Sequence, residues 1–228
     1  MPDLDAPTPS PLVRLRRLLG RVRRRFVVDS YDVFLRPVPA DASCAAPEGY
    51  EFRFGTAQDV ERCDPLHTEL DERERRAGVR RLALGHRVVL ALHGPAPGTA
   101  VFSMWVNPRS LNVPGLMKRA LGQGQWFIYK AFTSPEHRGR KLYESGMRFV
   151  LAEMRRTGLT ELVGYAHVKK AVSRKGLATL DFASAGRVTQ IAWPGLSLTL
   201  VSRELRQRFP REVPRSGAGT AETSPTPP

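Results

Sequence analysis

Trp126-Phe127-Ile128-Tyr129-Lys130-Ala131-Phe132-Thr133-Ser134-Pro135-Glu136-His137-Arg138-Gly139-Arg140-Lys141-Leu142-Tyr143 is the stretch on which the reading of this chain turns. Residues 126–132 are rich in aromatic side chains and predict a strand. From Arg140 to Thr157 the pattern becomes helical. Leu142, Gly146, Phe149 and Val150 recur at i, i+4, i+7 and i+8, and Lys141, Glu144, Arg148 and Arg155 take the other side. Gly158 then reads as the C-terminal cap. Only a tight basic turn separates strand from helix. A helix that opens directly out of a strand presents unpaired backbone N–H groups and the positive end of its dipole. Such a point suits a phosphate or a diphosphate. Arg138, Arg140 and Lys141 add charge there, and Gly139 lets the backbone approach closely. The other reading of the same residues is a basic helix cap with no ligand.

On the N-terminal side, Tyr50-Glu51-Phe52-Arg53-Phe54 alternates as a half-buried strand does. Residues 57–78 are charged and helical in character. Val88 to Leu92 is an apolar strand, Gly94-Pro95-Ala96-Pro97-Gly98 a turn, and Ala100 to Val106 the returning strand. Residues 107–125 predict a long loop with one helical turn. On the C-terminal side, Glu161 to Ala166 predicts a strand, 169–180 a short helix, and 182–202 two strands broken at Pro194-Gly195. Residues 212–228, rich in Pro, Ser, Thr and Gly, predict a disordered tail. Near the start, Leu12, Leu15, Leu19, Val22 and Phe26 recur at helical spacing between arginines, so 11–28 reads as a basic amphipathic helix. Residues 36–49, with three prolines and a glycine, read as a linker. The organisation expected is therefore a leader, basic helix and linker over 1–49, a domain over 50–203, and a tail over 204–228.

The turn resembles that of the Gcn5-related N-acetyltransferases (GNAT), which carry a strand, a short Pro-containing turn, and Arg/Gln-x-x-Gly-x-Gly/Ala opening a long helix. Arg138 matches the first position of that pattern. Lys141 stands where the family has its first glycine, and Tyr143 where it has glycine or alanine. Downstream, the family often has Asn-x-x-Ser and then a short helix ending in Gly-Phe. Ser173 and Phe182 match, whereas Lys170 and Asp181 depart. The tyrosine that many members place after this serine, proposed there as the acid for the leaving thiolate, is Leu177 here.

The resemblance spans residues 50 to about 200 and implies an α/β (α+β) fold. Its central sheet would be mixed, mostly antiparallel and split between two strands, with flanking helices. It implies acetyl-CoA or another acyl-CoA as donor. Backbone near Phe132 and Thr133 would line the pantetheine arm, and Arg138, Gly139, Arg140, Lys141, Leu142 and Tyr143 the diphosphate, with Ser173 as a further contact. A small-molecule amine would be the acceptor. Tyr165 and His167, near the end of strand 161–166, are the candidates for proton transfer.

The chain has 228 residues and a formal net charge of +14, which favours anionic partners. The arginine-rich 11–28 stretch reads first as an extra helix packed on the domain and next as one lying on an anionic membrane surface. Nucleic acid is the lesser expectation, because aromatics are 8% of the chain and Phe26 alone accompanies that run. Asp59, Glu61, Asp64, Glu69, Asp71, Glu72 and Glu74 concentrate carboxylates, and read either as a lure for a cationic amine or as a solvated helix paired with its own arginines. Cys44 and Cys63 are too few for a disulfide framework, and Cys63 and His67 too few for a zinc site, so no metal is expected. With no stretch long enough to span a membrane and no basic, apolar leader, the reading is of a cytoplasmic protein.

Overall fold

The computed structural model describes residues 27–63, 71–193 and 196–210. Its frame is an eight-stranded sheet. In chain order the strands are β1 (Val27–Pro37), β2 (Tyr50–Gly55), β3 (Arg87–His93), β4 (Thr99–Asn107), β7 (Gln125–Thr133), β8 (Glu161–His167), β9 (Ala183–Trp193) and β10 (Leu196–Val201). Two short strands, β5 (Ser110–Val113) and β6 (Met117–Ala120), form a separate hairpin. The helices are α1 (Ala57–Arg62), α2 (Glu72–Ala83), α3 (Leu142–Arg156), α4 (Ala171–Thr179) and α5 (Arg203–Arg208).

Across the large sheet the order is β10-β9-β1-β8-β7-β4-β3-β2. Every neighbouring pair is antiparallel except β7 with β8. A parallel pair needs a crossover, and α3 supplies it. Leu142, Met147, Val150, Leu151 and Met154 of α3 are buried against the sheet together with Leu177 and Leu180 at α4. Gly146 brings α3 close: a Cβ there would stand 2.6 Å from the Phe102 ring. At its C-terminus Gly158 turns left-handed (φ 72°) and Leu159 N–H returns to Met154 O, so the expected glycine cap is present.

The opposite face has two covers. Over β2–β4, α1 and α2 enclose Val60, Cys63, Val88, Leu90 and Trp105. Over β1, β7, β8 and β9, the β5–β6 hairpin and α5 enclose Val33, Phe127, Val163, Val188, Leu205 and Phe209. Among the described residues no helix is long and apolar enough to cross a membrane.

Three expectations change. The sheet does not begin at Tyr50: residues 27–37 form β1, which pairs with both β8 and β9 in the middle of the C-terminal half. Val33 and Leu35 fill the core from one face and Phe34 from the other, so the folded unit includes residues expected to precede it. Residues 107–125 are not a loop but chiefly the β5–β6 hairpin, whose Leu111, Val113 and Met117 are buried. The tail does not begin at 204, because Leu205 and Phe209 are fully buried. The predicted basic helix lies outside the described residues up to Phe26, and its last two positions, Val27 and Val28, open β1. The predicted 212–228 tail also lies outside them.

Candidate active site: a split sheet beside a left-handed turn

β7 and β8 pair over three positions only, Gln125 with Glu161, Trp126 with Leu162 and Phe127 with Val163. The strands themselves are nine and seven residues long. From Ile128 and Gly164 onward they part. β7 keeps β4 on its far side and β8 keeps β1, so the two edges facing the gap are unpaired. That leaves an interior strand with surface like an edge strand: Lys130 and Ala131 are exposed although β7 lies mid-sheet. Unpaired strand edges bind extended, amide-bearing ligands by completing the ladder. At the same level β7 bulges. Trp105 opposes Tyr129 and Ser103 opposes Phe132, so Lys130 and Ala131 stand where β4 has Met104 alone, and Lys130 takes φ 48°.

The gap leads to the turn. Ser134 N–H bonds to Val101 O and closes β7 against β4. Its hydroxyl oxygen is buried without a partner among the described residues. Pro135–His137 form one turn of 3-10 helix, Gly139 takes φ 77°, and Lys141 takes φ 58°, ψ 19° as the residue that launches α3. No side chain caps α3, so the N–H groups of its first turn face outward with the dipole behind them. Arg138, Gly139, Arg140 and Lys141 are all exposed. Arg138 Nε donates to Thr133 O at 3.3 Å. Arg140 Nη1 donates to the Tyr50 hydroxyl at 3.0 Å, which lies 2.8 Å from Nδ1 of buried His137. His137 thereby ties the turn to β2 rather than to a ligand.

The departures at Lys141, Tyr143 and Asp181 have local accounts. A left-handed residue other than glycine costs on the order of 1–2 kcal/mol. Lys141 and Asp181, at two positions where glycine was expected, both keep that conformation, at φ 58° and 55°. The backbone path a glycine would give is therefore retained. Tyr143 is accommodated by another glycine: a Cβ on Gly176 of α4 would stand 3.3 Å from the Tyr143 ring. Burial pushes the Tyr143 hydroxyl well above its ordinary value. Leu142 is buried in the core and contributes backbone only. Ser173 lies half-buried in the first turn of α4, while Leu177 is core.

The two candidates for proton transfer differ. Tyr165 stands on β8 two residues past the last paired position, half-buried, stacked on Phe127 at 5.6 Å and close to Tyr31. Burial, with Tyr31 nearby, raises its hydroxyl. His167 has both ring nitrogens engaged. Lys169 N–H donates to Nδ1 at 2.9 Å, so Nε2 carries the proton and donates to Asp29 of β1. The bonded ring is a brace between β8 and β1.

A third candidate, the pair Tyr129 and His86, was not legible in the sequence. Tyr129 stands on β7 two residues past the last paired position, as Tyr165 does on β8. Its hydroxyl lies 2.6 Å from Nδ1 of His86, which precedes β3. Burial lowers the His86 imidazole from its ordinary value, and Arg81, Arg109 and Lys118 push it further down. Tyr129 is raised chiefly by burial. Of the carboxylates in the 57–78 stretch, Asp59, Asp71 and Glu72 are engaged within the fold. Asp59 closes a capping box with Thr56 and holds Arg53, and Asp71 caps α2. Glu72 pairs with Arg75 and Arg76. Asp64 and Glu69 lie outside the described residues. Among the described residues no group of three or more His, Cys, Asp or Glu side chains gathers as a metal site would.

No family model matches the chain, and no curated protein matches it in sequence. Solved structures do. A tandem GNAT protein from the clavulanic acid biosynthesis pathway aligns with a TM-score of 0.51 and 17% identity, over 86% of this chain and 62% of that one. A Drosophila protein aligns with a TM-score of 0.50 and 12% identity, over 80% of this chain and 57% of that one. A Gcn5-related N-acetyltransferase from Sphaerobacter thermophilus aligns with a TM-score of 0.49 and 16% identity, over 79% and 56%. This chain spans 57% of the Drosophila protein's length and 56% of the Sphaerobacter enzyme's. At such identity the likeness is one of fold. The chain has the GNAT fold, a mixed and mostly antiparallel sheet flanked by helices and split between two central strands.

Proposed function

We propose that the protein is an acyl-CoA-dependent N-acyltransferase that moves an acetyl group to the primary amine of a small molecule. One observation carries the reading. A single contiguous strand, turn and helix supplies both an unpaired strand edge and, at the end of that edge, an uncapped helix N-terminus ringed by Arg138, Arg140 and Lys141. An extended amide-bearing arm that ends in a diphosphate is the ligand that uses both at once. Acyl-CoA has that form, and its thioester supplies the activated acyl group. Phe132 and Thr133 would line the arm. The backbone of Gly139 to Tyr143 and the side chains of Arg138, Arg140 and Lys141 would hold the diphosphate, with Ser173 beside it on α4.

The chain's own groups divide the proton work. An amine must lose a proton to form an amide. With His86 neutral and Nδ1 accepting, Tyr129 takes that proton on its oxygen as its own passes to His86. Tyr165, kept protonated by burial, faces the same gap from β8 and is the proton donor for the departing thiolate. His167, bonded to Asp29, positions the end of β8. A binding module without turnover is the second reading of a chain with lysine and aspartate in place of glycine, but retention of the left-handed backbone at both positions favours a working turn.

Titration calorimetry of the full chain with acetyl-CoA, followed by a thiol-release assay with an amine panel, tests the proposal. Saturable binding that weakens tenfold or more in Arg138→Ala is the expected result. Absence of saturable binding to acetyl-CoA and to longer acyl-CoAs would overturn it.

A further inference from the structure

The strands β1, β9 and β10 share an apolar face that the core does not use. Their registers set three rows across the sheet: Ser30, Thr189 and Leu200; Val28, Ile191 and Leu198; Trp193 and Leu196. Residues opposite each other in a row share a face, as do alternate residues of a strand. Asp32 lies on the same face, where Arg174 of α4 reaches it at 3.2 Å. The rows therefore prolong the face that α3 and α4 cover at Phe34. No core cluster among the described residues includes any of the six apolar side chains in these rows. Leu196, Leu198 and Leu200 are 70%, 52% and 48% exposed. The other face of the same hairpin is polar at this level, where Gln190 Nε2 donates to Ser197 Oγ at 2.9 Å. The edge strand of the sheet thus turns its leucines to water. An apolar patch of this kind marks a docking surface.

Charge says what the surface fits. β1 opens at Val27, one residue before Val28, and residues 11–26 hold seven arginines and no acid. Arg23, Arg24 and Arg25 are within four residues of Val27, and so within about 14 Å of it whatever path the chain takes. The acid on the face itself is Asp32, buried and held by both Arg174 and Arg187. Beside Ser30, whose carbonyl accepts from Val168 N–H, the chain goes on into Lys169, Lys170 and Val172, all exposed. Residues 1–26 carry +5 of the formal charge of +14, and the remaining residues carry +9. Like charges repel, so charge draws neither the N-terminal run nor a second copy to this face. An anionic bilayer attracts both parts of the chain and takes in the leucines. Trp193, at the end of the apolar rows, is the type of side chain that settles at the headgroup level. We infer that the face of Val28, Ile191, Trp193, Leu196, Leu198 and Leu200 docks on an anionic lipid bilayer, with the arginines before β1 meeting the headgroups. This inference does not depend on the acyltransferase reading.

The test is co-sedimentation of the full chain with vesicles of phosphatidylcholine, and of phosphatidylcholine mixed with phosphatidylglycerol. The expected result is at least tenfold stronger partitioning onto the anionic vesicles, weakened by added salt and accompanied by a blue shift of tryptophan emission. The double variant Leu196→Thr, Leu198→Thr keeps residues suited to a strand. It is expected to lose partitioning tenfold or more with its urea midpoint unchanged. The triple variant Arg23→Gln, Arg24→Gln, Arg25→Gln is expected to lose it severalfold and to respond less to salt. Equal partitioning onto both vesicles, none onto either, or full partitioning of the leucine variant would overturn the inference. Two rival occupants would overturn it as well. A dimer in light scattering that the leucine variant abolishes would put a second copy on the face. A urea midpoint that falls in that variant as it does for core leucines would put the chain's own N-terminal run there.

Discussion

The two faces of the split are built in different ways. The donor side of the proposed reaction is one run of chain, Phe132 to Tyr143, and most of what it offers is backbone: a free strand edge, a left-handed step at Lys141, and the N–H groups of α3. The acceptor side of the proposed reaction is made of dispersed side chains, with His86 before β3, Tyr129 on β7 and Tyr165 on β8. A site made of backbone tolerates change in the residues that carry it, and Lys141 keeps the left-handed step a glycine would give. A site made of dispersed side chains is only as good as the packing that brings them together. The donor side should therefore resist single substitutions that cripple the acceptor side.

The largest expected effect tests that contrast directly. His86→Ala should lower kcat by on the order of 10²–10⁴ while calorimetry returns an unchanged affinity for acetyl-CoA. A parallel loss of affinity would mean the two sides are not separable. The same pair fixes a sign in pH. His86 acts neutral, and its value is lowered from the ordinary 6.5. The acid limb of kcat should therefore lie below pH 6.5 in the natural protein and disappear in His86→Gln.

A smaller effect sharpens the donor side. Gly146 seats α3 against Phe102, and a valine there meets the ring at its first carbon. Gly146→Val should destabilise the fold by about 1–3 kcal/mol, read as a lower urea midpoint, and should weaken acetyl-CoA as α3 shifts. Unchanged affinity in the folded variant would show that the position of α3 is not what aims its N-terminus.

Smallest is Lys141→Gly. Relief of the left-handed strain, less the added freedom of the unfolded chain, should raise stability by up to about 1 kcal/mol. Loss of the ammonium should raise the Kd for acetyl-CoA severalfold. Tighter binding instead would show that Lys141 obstructs the diphosphate. Asp181→Gly should show the same gain in the urea midpoint, because its contact with Arg36 is 3.9 Å long and the aspartate is 86% exposed.

The same contrast explains what the sequence disclosed. The β7–α3–β8 unit was legible because its periodicities are long and its punctuation, Pro135, Gly139 and Gly158, is local. The β5–β6 hairpin was not, since four-residue strands around Pro114-Gly115 carry too little pattern to be told from a loop. β1 was hidden because it follows a helical periodicity without a break, and because it has core on both faces around Val33 and Phe34 and so lacks clean alternation. Leu205 and Phe209 were lost in a polar tail. His86 and Tyr129 are 43 residues apart, and only the sheet, through β3, β4 and β7, brings them within a hydrogen bond. His167 was found by position, but its bond to Asp29 could not be read, because the two are 138 residues apart.

β1 has a consequence in time. Its two neighbours in the sheet are β8 and β9, and the Asp29–His167 bond joins residues 138 positions apart. At ribosomal speed the strand waits on the order of ten seconds for its partners to be made. Through that interval Val33, Phe34 and Leu35 have no sheet to enter. The half built on β2, β3, β4 and β7 has its partners sooner and is free to fold first. The gap between β7 and β8 is thus also a seam between an early half and a late one. Entry of β1 between β8 and β9 needs both of those strands, and it completes the β8 side of the gap.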